Sequence, residues 1–224
     1  MKKALIACEF SGAVRSRLRK MGVDAWSCDL LAADDASRFH FQQDISDVLT
    51  FEKWDLVIAF PPCTFLAASG SRWFYHPDDK GLPVNERRAH PLYPNRKQDR
   101  QKAVDFFMQF ANCSAPRVAI ENPVGCMSRL YRKPDQIVHP YHFGQNASKQ
   151  TCLWLKGLPL LQHTNVVDRG EMHTTKGGKT LPKWYNLPPS EERAKIRSTT
   201  FSGIADAMAA QWGLLLLEEE KNEK

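Results

Sequence analysis

Short apolar runs, each closed by a turn-forming residue and followed by residues of helical periodicity, constrain this chain more than any other feature. Ala4-Leu5-Ile6-Ala7-Cys8 is the first such run. Ser11-Gly12 then opens a segment whose Val14, Leu18 and Met21 fall on one helical face, and Gly22 ends it. Val23 to Cys28 reads as the next strand. Asp55 to Phe60 is a third, cut off by Pro61-Pro62. After a long polar insertion, Lys97 to Asn112 carries Val104, Phe107, Met108 and Ala111 at helical spacing. Arg117 to Ile120 makes another strand, ending at Glu121-Asn122-Pro123. Thr151 to Leu155 is a late strand, and Ile204 to Leu216 a closing helix. Strands alternating with helices predict an α/β fold with a doubly wound, mainly parallel sheet.

A chain of 224 residues with 42% hydrophobic content is long enough for one full core. One domain over 1–224 is therefore expected, with basic insertions at about 65–100 and 157–200. No stretch approaches the roughly 18 consecutive apolar residues of a membrane span. Met1-Lys2-Lys3 leads directly into a strand, without the apolar stretch and cleavage site of a secretory signal. The six cysteines show neither disulfide-framework nor CxxC spacing, which fits reduced thiols and a cytoplasmic location. A monomer or weak dimer is expected.

The net charge of +6 admits a polyanionic partner, and its distribution is more informative than its size. Between Arg72 and Lys102 stand eight Lys/Arg against four Asp/Glu, interleaved with Trp73, Phe74, Tyr75 and Tyr93. A second net-basic stretch, Asp168 to Arg197, contains Lys176-Gly177-Gly178-Lys179. His139 and His142 do not present a zinc site, because Pro140 breaks helical presentation and no cysteine ligand stands nearby by spacing. No metal is expected.

In doubly wound sheets, ligands sit beyond the carboxyl ends of the strands. The first strand ends in Glu9-Phe10-Ser11-Gly12, a glycine turn into a helix; the second ends in Asp29. A glycine turn with an acid about twenty residues later is one way such folds hold a nucleoside, although either residue alone is more often just a turn or a cap. Phe60-Pro61-Pro62-Cys63 places a thiol in a stiffened loop at the same edge. Glu121-Asn122-Pro123 places a carboxyl at another strand end. Most cysteines are small buried hydrophobes, and the other five here keep that reading.

Phe10-Ser11-Gly12, Asp29, Asp44, Pro61-Pro62-Cys63 and Glu121-Asn122-Pro123 together resemble, in order and spacing, the DNA cytosine-5 methyltransferases. The likeness is strongest to the compact members carried by phages and prophages. It runs from Ala4 to about Leu155 and resumes at Phe201-Ser202-Gly203. The resemblance implies a Rossmann-like class I fold using S-adenosyl-L-methionine, or an analogue such as carboxy-S-adenosyl-L-methionine. It implies Cys63 as nucleophile on cytosine C6, Glu121 as the acid at N3, Asn122 as its support and Lys149 at the cytosine carbonyl. It also implies Phe10, Ser11 and Gly12 at the methionine and ribose end, Asp29 on the ribose hydroxyls, and Asp44 on the adenine amino group. Leu30 and Ile45 would pack near the adenine, Phe60 and Pro61 would touch the cofactor, and Ser202 would close over it, unless Ser202 is an ordinary helix cap.

The sequence also departs from the family pattern. Val14 replaces a second glycine, Leu30 an aromatic, Thr64 a glutamine, and Lys149-Gln150-Thr151 an arginine pair. Only about forty-five residues separate Leu155 from Phe201, too few for an independent target-recognition core. DNA, duplex or single-stranded, would then be held by Arg72, Trp73, Arg87, Arg88, Arg96 and Lys97, with Lys176, Lys179 and Lys183 from the second stretch. Trp73 or Phe74 could fill the gap left by a flipped base, or could simply anchor the loop. Two other readings remain open: a catalytically silent cofactor- and DNA-binding relative acting in phage counter-defence, and an amino-group DNA methyltransferase. Intact Cys63 and Glu121 argue against the first, and Cys63 in place of an aromatic argues against the second.

Overall fold

The computed structural model describes residues 1–175, 177–183 and 200–222. Among the described residues, nine strands form in chain order: β1 Lys3–Ala7, β2 Asp24–Asp29, β3 His40–Gln42, β4 Leu56–Ala59, β5 Arg117–Pro123, β6 Gln136–Val138, β7 Thr151–Lys156, β8 Met172–Thr174 and β9 Thr180–Pro182. The helices are α1 Ala13–Lys20, α2 Ile45–Phe51, α3 Arg96–Asn112, α4 Met127–Leu130, α5 Ser202–Met208 and α6 Leu214–Asn222.

β1 to β7 build one sheet in the order β3-β2-β1-β4-β5-β7-β6, and β8 pairs with β9 separately. All neighbours in the large sheet are parallel except at β7, which runs antiparallel to both β5 and β6. This is the strand order and direction of the Rossmann-like class I methyltransferase sheet, so the expected fold class is the observed one.

Alternation along the strands splits the core into two layers. Ala4 and Ile6 of β1 join Leu56 and Ile58 of β4 on one face, covered by Val14 and Leu18 of α1 and by Ile204, Met208 and Trp212. Leu5, Ala7, Val57 and Ala59 face the other way, against Val48 of α2 and Phe107 and Phe110 of α3. Helices on both faces explain why the central strands read as unbroken apolar runs. The buried Trp154 and Trp212 indoles donate to the carbonyls of Arg132 and Pro159, so neither N–H is left unpaired.

Three expectations need adjustment. β5 continues through Pro123 rather than stopping before Glu121, because β7 pairs with Glu121, Asn122 and Pro123. The closing helix starts at Ser202, widens into a π-helical turn over Ala209–Gly213, and continues to Asn222. The first basic insertion contains three short 3-10 turns (Ala68–Trp73, Pro77–Asp79 and Val84–Glu86). No helix among the described residues is long and apolar enough to cross a membrane.

Candidate active site

Strand register brings the separate motifs to one edge. Ala7 of β1 pairs with Cys28 of β2 and Ala59 of β4, and Ala59 pairs with Ile120 of β5. Phe10, Asp29, Phe60 and Glu121 therefore all follow within three residues of one transverse row. Asp44 joins them after β3, where Gln42 pairs with Asp29. Residues from both halves of the chain thus share a single sheet edge.

Cys63 is exposed on the loop after β4. Its carbonyl accepts from the N–H groups of Leu66 and Ala67 at 3.0 and 2.9 Å, closing a compact turn. That turn interlocks with the loop after β5: Ala68 N–H donates to the Val124 carbonyl, and Cys126 N–H to that of Leu66. Gly125 is needed at the crossing, since a Cβ there would lie 2.0 Å from the Leu66 carbonyl oxygen. Buried Asn122 adds a third tie, its Nδ2 donating to the Pro61 carbonyl at 2.7 Å. The Asn122 Oδ1 acceptor is also buried and has no partner among the described residues.

Glu121 projects from the same strand end. Burial pushes its carboxyl above the ordinary glutamate range, while the Lys149 ammonium works in the opposite direction. The Lys149 Nζ also lies 5.8 Å from the centre of the Phe201 ring. Lys149 thus connects Glu121 with the segment that begins α5. Gly203 of that segment donates its N–H to Gln145 Oε1 at 2.9 Å. Phe201, not Ser202, holds the N-cap position, and no side chain caps the helix. Ser202 is exposed and the simple capping role does not apply to it.

The turn after β1 carries a residue the sequence reading passed over. Glu9 is almost fully buried, and its carboxylate accepts from the N–H groups of Val14 (2.6 Å) and Arg15 (3.3 Å). Burial pushes it up to about 7, with those two N–H bonds opposing the rise. Gly12 takes the left-handed conformation at φ +66°, and a Cβ there would lie 2.1 Å from the Arg15 guanidinium. That guanidinium is itself buried and bonds both Asp35 oxygens. An acid at the end of the first strand, five and six residues before the amides it meets, was the available signal for Glu9. In a nucleotide-binding turn those amides would face a phosphate. Here a carboxyl group already occupies two of them.

The remaining cofactor candidates divide. Asp29 is half-buried and its Oδ1 accepts from Leu31 N–H at 2.9 Å; its Oδ2 makes no hydrogen bond among the described residues. Leu30 beside it is 72% exposed. Asp44 caps α2, its Oδ1 accepting from Ser46 N–H at 2.8 Å, and that bond holds its carboxyl below the usual range. Phe60 is partly buried against the core and Pro61 is buried. Ile45 is a buried side chain in the same core cluster as Val48 and Leu49. Asp29→Ala should lower cofactor affinity about ten- to hundredfold, the effect of losing a charge-assisted hydrogen bond. Calorimetric titration checks this, and an unchanged affinity removes Asp29 from the pocket.

Among the nucleic-acid candidates, Arg72, Arg88, Lys97 and Lys179 are exposed. Arg88 nevertheless grips Asp79 through several bonds, and its guanidinium holds that carboxyl down to about 2. Arg87 donates to the carbonyls of Leu82 and Lys80, and Lys183 pairs with Glu171. Trp73 is half-buried with its ring against His90 and Tyr93. Phe74 is corrected outright: at 4% exposure, with Arg100 stacked 3.5 Å above it, no base can reach it. Arg96 is corrected too. Its side chain is buried at 6% exposure and cannot contact a phosphate. Lys176 and residues 184–199 of the second basic stretch lie outside the described residues.

No protein-family model and no curated protein matches this sequence. Among solved structures, a prophage-encoded Escherichia coli protein described as a DNA modification methyltransferase aligns at TM-score 0.46 and 13% identity, covering 76% of this chain and 53% of that one. A variant of Spodoptera frugiperda DNMT2 aligns at TM-score 0.40 and 13% identity, covering 75% and 55%. The S. pombe Dnmt2 methyltransferase aligns at 0.42 and 14%, covering 71% and 50%. The chain spans about half the length of these solved structures.

Proposed function

We propose that this protein transfers a methyl or related group from S-adenosyl-L-methionine, or an analogue of it, to C5 of cytosine in DNA. The carrying observation is the interlock that joins the Cys63 turn to Asn122 and the loop after Glu121, with Asn122 Nδ2 on the Pro61 carbonyl at 2.7 Å. A nucleophile and a proton donor fixed to one another across two strand ends suit attack on a heterocycle, where both act on the same ring.

The turn after β1 fits the cofactor class. With the Val14 and Arg15 amides bonded to Glu9, that helix end is unsuited to a pyrophosphate. A phosphate-free nucleoside carrying a sulfonium meets no such conflict, and Asp29 Oδ2 suits its ribose hydroxyls. Bound there, the cofactor supplies an electrophilic carbon.

The protein's own groups then divide the work. The Cys63 thiolate adds to C6, while Glu121, whose protonated form burial favours, gives its proton to N3. The ring becomes an enamine whose C5 would take up that electrophilic carbon as the carbon–sulfur bond of the sulfonium breaks, the bonding pair staying on sulfur. Asn122 holds the Pro61 backbone so that Cys63 does not drift, and Lys149 is positioned to meet the base carbonyl. The C5 proton then passes to a solvent base and the N3 proton returns to the Glu121 carboxylate, which expels the Cys63 thiolate and restores the ring.

Mass spectrometry of nucleosides from DNA incubated with protein and cofactor tests the reading. A C5-substituted deoxycytidine is the expected product. A product modified on an exocyclic amino group, or modification of RNA alone, would overturn it.

DNA binding is assigned mainly to Arg72 and Lys97, with Arg88 and Lys179 contributing where their other bonds allow. Cations seated on phosphates release counterions, so affinity should fall steeply with salt. Each cation removed from a phosphate should reduce the slope by about 0.9 on duplex DNA or about 0.7 on single strands. Arg72→Ala with Lys97→Ala should therefore flatten the salt dependence and weaken all sequences alike, as measured by fluorescence anisotropy. A weakening confined to one sequence would mean that these side chains read base edges.

A further inference from the structure

Arg96 opens α3 in a run of charges that reads as a solvated face, yet it is among the buried residues of the protein. Its Nη2 donates to the carbonyl of Thr64 at 3.0 Å, the residue directly after Cys63. Its guanidinium carbon lies 5.1 Å from the ring centres of both Phe65 and Phe74, and 5.8 Å from that of Tyr93. Its Nε is buried without a hydrogen-bond partner, and among the described residues no carboxylate forms a salt bridge with it. Burial and the nearby Arg100 act against its charge, while Tyr93 and Asp99 act more weakly for it. Three aromatic faces offset part of that cost, but none supplies a counter-charge. A cation kept in such a place has a charge that is incompletely neutralised.

We propose that Arg96 is a positioning residue for Cys63: it clamps the turn that carries the thiol and sets an incompletely neutralised positive charge against the residue that follows it, favouring the thiolate. The proposal rests on the reading of Cys63 as nucleophile. Its consequence is nonetheless a property of the thiol alone, measurable without DNA or cofactor. A cation close to a cysteine favours ionisation, and the ionised form is the reactive one. The same end of α3 carries the positive pole of a 17-residue helix, which acts in the same direction.

The test is alkylation of Cys63 by iodoacetamide, in which the thiolate displaces iodide, followed by mass spectrometry of the Cys63 peptide between pH 6 and 10. Relative to the unaltered protein, Arg96→Gln should raise the midpoint of the rate profile by about one pH unit. That corresponds to a rate about tenfold lower near neutral pH. Arg96→Lys keeps the charge and should restore most of the shift. In turnover assays Arg96→Gln should lower kcat and leave cofactor affinity unchanged. A folded Arg96→Gln protein with an unmoved midpoint overturns the proposal, as does a rate loss that is equal at every pH. Should Arg96→Gln fail to fold, Arg96→Lys decides: a midpoint near that of the unaltered protein supports the proposal, and one raised by a full unit overturns it. If Cys63 proves dispensable for DNA modification, the proposed function fails while the alkylation result still stands, so the two failures are distinguishable.

Discussion

Cys63→Ala is expected to reduce modification of DNA by at least about a thousandfold while cofactor affinity stays near normal. The direction follows from the chemistry. Cytosine C5 is a poor nucleophile until a group adds to C6, and the exposed Cys63 thiol stands in the turn that interlocks with the loop after β5. The substitution removes one exposed sulfur atom and leaves the Leu66, Ala67 and Asn122 bonds in place, because all three involve backbone carbonyls of the turn. Its effect on stability should therefore lie within about 0.5 kcal/mol. DNA containing 5-fluorocytosine gives the complementary result. Fluorine cannot leave as a proton, so the unaltered protein should remain covalently attached and Cys63→Ala should not. A Cys63→Ala protein that modifies DNA at a comparable rate removes the covalent mechanism.

The central strands were legible because burial on both faces leaves no polar position to interrupt them. Leu56, Val57, Ile58 and Ala59 are all fully buried, and the sequence shows an unbroken apolar run there. β3 and β6 gave no such signal. Each has only three residues, none of them buried in β3 and only Val138 buried in β6, and each pairs with only one neighbour at the sheet margin. α2 was hidden for another reason. Asp44 resembled a ligand-binding acid, and the same carboxylate caps the helix that follows it. Neither role precludes the other, since a cap bond uses one oxygen.

At the site, residue type revealed the chemistry but not the packing. The strand-end positions of Cys63 and Glu121 follow from the α/β pattern, and register then brings them to one edge. Charge patterning misled where local geometry overrode it. Arg96 and Arg72 look alike in a basic stretch, yet one is sealed among aromatic rings and the other is exposed. Nothing in composition separates them, because the difference lies in where the insertion folds back onto α3. Phe74 shows the same effect: its burial under Arg100 depends on that return. Glu9 was masked by the familiar glycine turn beside it.

Glu121→Gln should lower turnover by about 10²- to 10⁴-fold, the range for a positioned proton donor, with little change in DNA affinity. Glutamine keeps the size and a hydrogen-bonding end but has no proton to transfer to N3. The pH profile discriminates further. Burial raises the Glu121 carboxyl above its ordinary range, so the protonated, active form persists above the usual glutamate range and is lost as pH rises through the raised value. Ionisation of the Cys63 thiol acts oppositely, increasing activity with pH. The unaltered protein should thus show a bell-shaped kcat/KM profile, and Glu121→Gln should keep only the rising limb. Lys149 offers a check on sign. Its ammonium now favours the Glu121 carboxylate, so Lys149→Ala should move the falling limb to higher pH. A falling limb that survives unchanged in Glu121→Gln would assign the proton donor to another group. A limb that moves to lower pH in Lys149→Ala would mean that the two side chains do not face each other during turnover.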